Sequence, residues 1–238
     1  MKIAVIGHGT MGKRHEVTAL EWGAEICTPP NADIVVIDTP DNLHQNTAQH
    51  FLSLGVPVFC EKPLATNLGG IESLEFWAAR TPLGCHLPLR QCKDEFEIVG
   101  NRFIATYDYG RKTKFLTSWR NAPDYDLVMG GGIHMMDLIM QKFPGEPVTI
   151  TNASRYKLMP ESKCPDWFGG GFKIGDRIGA LVVDFTQEGP HRHIVNWIDS
   201  SWENQHELDK SAQLRAFLDK PETDWAAIEA HRMCLRFP

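Results

Sequence analysis

The sequence predicts an α/β domain with a doubly wound parallel sheet over residues 1–90, followed by an α+β domain with an open, largely antiparallel sheet over residues 91–238. Three observations carry this reading. Short apolar runs alternate with helical patterns through the first part, as a parallel sheet requires. A glycine-rich turn, Gly7-His8-Gly9-Thr10-Met11-Gly12, joins the first of these runs to the first helix. Beyond residue 100 the apolar runs follow one another with fewer helical patterns between them, which suits antiparallel pairing.

Taken in order, Lys2 to Ile6 reads as a strand, and the helix after the glycine turn runs to about Trp22. Ala24 to Cys27 reads as a second strand and Asp33 to Ile37 as a third, buried on both faces. His44 to Leu54 is a helix and Val56 to Cys60 the next strand; Asn67 to Arg80 is a helix with Ile71, Leu74 and Trp77 at helical spacing. In the second part Phe103 to Tyr109 and Phe115 to Trp119 read as strands and Gly132 to Lys142 as a helix. Val148 to Tyr156, Gly179 to Phe185 and His191 to Ile198 read as further strands, the last two joined through Gly189-Pro190 as a hairpin. Pro160 to Gly171 reads as a loop, and helices close the chain at Trp202 to Leu218 and Asp224 to Leu235, with the C-terminal helix able to pack back on the first domain.

With 42% hydrophobic and 23% charged residues, the 238-residue chain has an ordinary soluble composition and enough length for one large or two small domains. A formal net charge of -6 provides no general basic field for nucleic acid. No apolar run approaches the ~20 residues of a membrane span, and the stretch after Met1-Lys2 is too short for a secretory leader. The six cysteines form no C-x-x-C pair and read as reduced structural thiols, with Cys27, Cys60 and Cys85 in apolar runs. These features predict a cytoplasmic protein that handles a small molecule, with no nucleic-acid, membrane or metal partner.

The glycine turn has the spacing and the setting of a dinucleotide fingerprint. Gly7 permits the tight turn, Gly9 admits a pyrophosphate to the backbone, and Gly12 lets helix and strand approach, with Thr10 and Met11 presenting the helix N-terminus. An acidic residue at the tip of the second strand normally holds the ribose. Here that tip is Thr28-Pro29-Pro30, so either NADP is used, with Thr28, Asn31 and Arg14 at its phosphate, or the adenosine is held loosely. Thr39-Pro40-Asp41-x-x-His44 ends the third strand, either as a proline turn capping a helix or as a contact to the nicotinamide side. Val56 to Leu64 ends in Glu61-Lys62-Pro63, which holds a lysine rigidly at the carboxyl edge of the sheet. Farther on, Gly130-Gly131-Gly132 opens a helix on which His134, Asp137 and Gln141 form one polar stripe: either a paired core histidine or a cleft face that grips a polar substrate. No third ligand is spaced to make this stripe a metal site. Arg111, Trp119 and Arg120 offer cationic and aromatic groups suited to anions and sugar rings, or else face solvent. His191 and His193 alternate on a strand and read as surface or interface residues.

GHGTMG, TPDNLH, EKPLAT and GGGIHMMDL, in this order, resemble the motifs of the Gfo/Idh/MocA oxidoreductases, which include glucose-fructose oxidoreductase and inositol dehydrogenase. The resemblance covers about the first 140 residues. It implies a Rossmann domain followed by an open-faced sheet domain, a cofactor that is NAD or NADP, and a Lys62-Pro63 bond that can be cis. It further implies hydride transfer between nicotinamide and a carbinol carbon of a sugar, cyclitol or nucleotide sugar. Carried over by motif, Lys62 assists proton transfer and Glu61 orients the site or the nicotinamide side. His134 contacts the reacting hydroxyl or acts in acid–base work, and Asp137 orients His134 or binds substrate. Free lysine is protonated up to about 10.4, so Lys62 needs a lowered pKa or a relay to act as base.

Two departures stand out. The family carries an Asp in a D-x-G-x-H pattern where this chain has Gly130, and the segment between second and third strands is missing. Both leave open a non-catalytic sensor of the same fold, or a hydrolase using bound NAD as a redox relay. Apolar residues on both faces of the late strands predict a homo-oligomer formed through the second-domain sheet: Leu181, Val183 and Phe185 against Ala180 and Val182, and Val195 and Trp197 against Ile194 and Ile198.

Overall fold

The computed structural model describes residues 1–197, 200–204 and 207–238. Contacts divide the chain into two units, Met1–Pro88 with Leu208–Arg232, and Leu89–Glu207 with Met233–Pro238. Residues 208–232, which the sequence reading assigned to the second part, thus count with the first.

In the first unit, strands β1 (Lys2–Ile6), β2 (Glu25–Ile26), β3 (Ile34–Ile37), β4 (Val58–Glu61) and β5 (Leu83–His86) form one sheet. Its order is β2-β1-β3-β4-β5 and every pair is parallel. Helices α1 (Thr10–Glu21), α2 (Asp41–Ser53) and α3 (Leu68–Ala78) make the crossovers. Strand β2 has two residues and pairs only with β1, and a 3-10 turn, Pro29–Asn31, links it to β3 without a helix. All four residues of β3 are buried, as the unbroken run Ile34-Val35-Val36-Ile37 demands of a central parallel strand.

Helix α6 (Ala212–Asp219) places Leu214, Phe217 and Leu218 in one core with Ile3, Ala19, Ile34, Val36 and Phe59. Each of these large side chains contributes about 1.5–3 kcal/mol when fully buried. The closing helix predicted from Trp202 is therefore shorter than expected. Trp202 instead lies in strand β11 (Ser200–Glu203), opposite Val195, and donates from Nε1 to Glu95 at 3.2 Å.

The second unit is built on a six-stranded sheet in the order β11-β10-β6-β9-β8-β7. Its other members are β6 (Arg102–Asp108), β7 (Val148–Tyr156), β8 (Trp167–Ile174), β9 (Arg177–Asp184) and β10 (Arg192–Trp197). Only β6 and β9 run parallel; the other pairs are antiparallel.

Three expectations need correction. The strands around 180 and 195 are not a hairpin, because β6 lies between β9 and β10 and pairs with both. Residues 167–171, read as loop, form the start of β8, with Gly169, Gly170 and Gly171 in register with both β7 and β9. The predicted strand at Phe115 to Trp119 is instead the short helix α4 (Lys112–Leu116) followed by turns, with Phe115 fully buried. Ile198, counted in the apolar pattern of the last strand, lies outside the described residues.

Helix α5 (Ile133–Lys142) follows a π-helical turn at Val128–Gly132. Side chains at 131 and 132 would collide with the sheet: a Cβ at Gly131 would sit 2.5 Å from the Tyr107 ring, and one at Gly132 would sit 2.9 Å from Val183. The glycine run therefore lets this segment lie directly on β6 and β9. The remaining helix, α7 (Trp225–Leu235), ends close to the C-terminus. Among the described residues no helix is long and apolar enough to cross a membrane.

Candidate active site

The carboxyl edge of the parallel sheet gathers three of the sequence motifs, after β1, β3 and β4. Gly7 ends β1 with φ +110°, and a Cβ there would lie 2.3 Å from the Asp38 carbonyl oxygen, so a side chain is excluded twice over. A Cβ at Gly12 would lie 1.8 Å from the Gly7 carbonyl oxygen, so this glycine is what lets α1 start against the turn. Gly9, by contrast, faces open space.

Helix α1 has no side-chain cap and no acidic residue in its first turn, which leaves the N–H groups around Thr10, Met11 and Gly12 to an outside anion. Thr39 Oγ1 at the end of β3 is buried without a hydrogen-bond partner among the described residues. An open glycine position above bare helical N–H groups, and an orphaned hydroxyl on the same sheet edge, fit a dinucleotide. At the opposite end, Thr28 is exposed beyond β2 and no carboxylate follows that strand before Asp33, whose side chain accepts from the Lys2 N–H at 2.7 Å.

Lys62 follows the last residue of β4, and the Lys62-Pro63 bond is cis. Several bonds hold this turn in place. Glu61 Oε2 accepts from the Lys62 N–H at 3.1 Å. The His44 ring nitrogens each lie 2.7 Å from a carbonyl oxygen, of Pro63 and of Thr39. His231 Nε2 accepts from the Leu64 N–H at 3.0 Å. His44 is 1% exposed and both its nitrogens are engaged by backbone. It braces the proline turn against the lysine turn, which corrects the expectation that it contacts the cofactor. Pro40, just before α2, is exposed at the same edge.

Glu61 is tied to a residue the sequence did not point to. His86, at the end of β5, lies 2.5 Å from Glu61 Oε1 through Nδ1, and its Nε2 lies 2.9 Å from the Lys210 carbonyl oxygen. Burial pushes the Glu61 carboxyl up, but the charge and hydrogen bond of His86, with Lys62 and His15 behind them, outweigh burial and hold it down at about 2. Glu61 is thus an anion directly beside Lys62. A similar pair, His15 and Asp38 at 2.9 Å, locks α1 to the end of β3 next to Gly7. Both pairs join residues more than twenty positions apart on different elements, and nothing local in the sequence announces either.

In the second unit, His134 lies in the first turn of α5, half-buried, with its ring stacked on Tyr107 at 6.0 Å and 15°. His193 is opposite Tyr107 in the β10–β6 register, and the rings of His191 and His193 lie 4.7 and 5.3 Å from that of Tyr107. These two histidines are therefore not surface residues set apart: they join Tyr107 and His134 in one imidazole–phenol cluster. Burial raises the Tyr107 phenol well above its ordinary range, so it remains neutral.

Asp137 requires reassignment. Its carboxylate is buried, and both oxygens accept from Arg90, at 2.6 Å from Nε and 2.6 Å from Nη2. This bidentate pair gives Asp137 a structural task in place of contact with substrate, and Arg90 is a second residue that sequence reasoning missed. Arg111 is exposed and bridges through its backbone to Glu188, while Arg120 lies 4.5 Å over the half-exposed Trp119 ring. Arg120 and Trp119 thus form one cationic, aromatic surface.

A parallel sheet with a glycine turn opening its first helix, joined to an open-sheet α+β unit, defines a dinucleotide-binding protein of the Rossmann type. A family described as oxidoreductases with an NAD-binding Rossmann fold matches residues 17–86. Inositol 2-dehydrogenase 2 of Saccharopolyspora erythraea is 26% identical over 166 residues, 63% of this chain and 48% of that protein. Inositol 2-dehydrogenase of Rhodococcus erythropolis is 30% identical over 90 residues, 35% of this chain and 25% of its own length. Residues 17–86 are thus similar to the Gfo/Idh/MocA oxidoreductases.

These matches span less than half the length of the curated relatives. The fold likeness reaches much further. GenD2 from gentamicin A biosynthesis, solved with NAD, superposes with TM-score 0.78 at 16% identity, over 100% of this chain and 93% of that one. Scyllo-inositol dehydrogenase of Lactobacillus casei, solved with NAD(H) and scyllo-inositol, gives 0.73 at 14% identity, over 100% and 95%.

Proposed function

We propose that the protein is an NAD(P)-dependent dehydrogenase that moves hydride between nicotinamide and a carbinol or carbonyl carbon of a sugar, cyclitol or nucleotide-sugar-like substrate. The observation that carries this reading is Lys62: a lysine on a backbone pinned from three sides, at the edge of the sheet where the glycine turn also ends. When bound, the nicotinamide accepts or gives the hydride. Everything else falls to the chain's own residues. The glycine turn receives the pyrophosphate, and the Thr39 hydroxyl and Pro40 meet the nicotinamide side. Lys62 holds or moves the proton of the reacting hydroxyl, with ionised Glu61 beside it. His134 contacts the substrate hydroxyl, and Arg120 with Trp119 meets its more distant ring or anionic part. The test is the rate of nicotinamide reduction across a panel of polyols, cyclitols and nucleotide sugars with NAD and with NADP. Turnover of at least one class is expected; cofactor binding with no turnover of any would support a sensor instead.

Self-association through the second sheet is part of the same proposal. Ile104 and Ile178 on that sheet are 45% and 48% exposed, and a shallow cavity of about 410 Å³ opens beside them. Covering this apolar face with a second copy removes it from water. Light scattering is expected to give at least twice the 26.8 kDa chain mass, and a strictly monomeric particle would refute it.

A further inference from the structure

Three buried histidines, His44, His86 and His231, hold the lysine turn, and their partners fix how many protons each ring carries. A ring nitrogen within hydrogen-bond distance of a carbonyl or an ionised carboxylate oxygen has to bring the proton, because those oxygens only accept. His44 lies 2.7 Å from the Pro63 carbonyl oxygen through Nδ1 and 2.7 Å from the Thr39 carbonyl oxygen through Nε2. Both are distances of an N–H donor on a carbonyl oxygen. One proton cannot serve both, since a bare nitrogen at either place would set a lone pair against a lone pair. His86 stands in the same situation, with the Glu61 carboxylate at Nδ1 and the Lys210 carbonyl at Nε2. His231 is the contrast. Its Nδ1 donates to the Ala227 carbonyl at 2.6 Å and its Nε2 accepts from the Leu64 N–H at 3.0 Å, so these two bonds use one proton.

A buried cation needs anions close by. Asp38 just after β3, Asp41 in the first turn of α2 and Glu61 at the end of β4 supply them: all three act on the Cys60 thiol, which burial and then these carboxylates raise well above its ordinary range. Asp41 precedes His44 by one turn of α2. The other charged groups at this edge are Lys62 after β4, His15 of α1 on Asp38, and His86 of β5 on Glu61.

We infer that His44 and His86 are imidazolium ions in the folded protein at neutral pH, and that His44 is a positioning residue whose second proton ties the turn at Thr39 to the turn at Pro63. The part it plays in turnover rests on the dehydrogenase reading; its charge does not. The two turns leave the neighbouring strands β3 and β4, and His44 bonds to both at once. With a single proton it would release one of them. A neutral side chain of similar reach does not replace it, because the amide of glutamine donates from one end and presents a carbonyl oxygen at the other.

The test is nitrogen NMR of the unliganded wild-type protein labelled in its histidine rings, which separates ring nitrogens that carry a proton from those that do not. Nuclear Overhauser contacts to Pro63, Glu61 and Ala227 assign the three rings without any substitution. His44 and His86 are expected to show two protonated nitrogens each, and His231 one. A bare nitrogen on His44 overturns the inference, and so do two protonated nitrogens on His231, since bond partners would then not decide the charge. Raising the pH until one His44 proton is lost is expected to move the Leu64 amide resonance in step with it; a Leu64 amide that does not respond overturns the positioning role. His44→Gln is then expected to lower kcat about tenfold or more, with NADH affinity within about threefold of wild type. Wild-type kcat in a folded His44→Gln protein also overturns that role. A wild-type protein that turns over nothing in the panel removes the dehydrogenase reading, while the charges on the three rings stand as measured.

Discussion

Replacing Lys62 with alanine is expected to lower turnover by about 10²–10⁴-fold while NADH affinity stays within about threefold of wild type, the range over which a positioned proton-transfer group acts. The surrounding bonds make this a clean experiment. The backbone at 61–64 is held by the Glu61 carboxylate, by His44 at the Pro63 carbonyl and by His231 at the Leu64 N–H, none of which involves the Lys62 ammonium. Removing the side chain should therefore leave the turn where it is. Steady-state kinetics and a fluorescence titration on the same preparation separate the outcomes. Unchanged turnover removes Lys62 from the chemistry, and loss of both turnover and cofactor binding makes its role structural.

Replacing Arg90 with alanine is expected to cost about 3–5 kcal/mol, because it strands a buried carboxylate. Asp137 accepts from this guanidinium through both oxygens, and its side chain is 1% exposed. Such a loss is a large part of the ~5–15 kcal/mol by which folded domains are stable. Lysine at 90 should rescue little, since a single ammonium does not match the two-pronged geometry. Replacing both partners with leucine should recover much of the loss. Urea denaturation midpoints measure all four proteins, and a change below about 1 kcal/mol in Arg90→Ala would show that the pair is not a major support.

The parallel-sheet unit was largely legible from the sequence because its signals are local: an apolar run, a glycine turn at a required spacing, a helix, and then the next run. Gly7 and Gly12 could be read because each is excluded from bearing a side chain by neighbouring backbone. The second unit was less legible because tertiary contacts override local preference there. A run of three glycines reads as loop, yet Gly169 to Gly171 pair on both sides within β8, and rings or side chains from Trp167, Phe168, Phe237 and Asn152 lie over the bare positions. The segment around Phe115 has strand-like residues, but the Glu188 carboxylate accepts from the Thr113 N–H at 2.9 Å and hydroxyl at 3.1 Å, at the start of a single helical turn.

The candidate residues divide in the same way. Lys62 and His134 stand in recognisable motifs. His86, Arg90 and Tyr107, which meet Glu61, Asp137 and His134, come from other elements, and no periodicity connects them. Tyr125 is only five residues from Gly130, but that it fills the place of a side chain there is a fact of three dimensions.

The missing acidic residue after β2 bears on which nicotinamide cofactor is used. No carboxylate stands at Thr28 to hold a ribose hydroxyl or to repel a phosphate there. The chain is therefore expected to bind NADH and NADPH with affinities within about tenfold of each other. One fluorescence titration of the wild-type protein with both reduced cofactors tests this expectation and the central claim together. Saturable binding of NADH, with NADPH competing for the same site, is the result the account predicts. The absence of saturable binding by either cofactor would contradict it, since every role assigned to Lys62 and His134 depends on a nicotinamide cofactor whose pyrophosphate sits at the glycine turn.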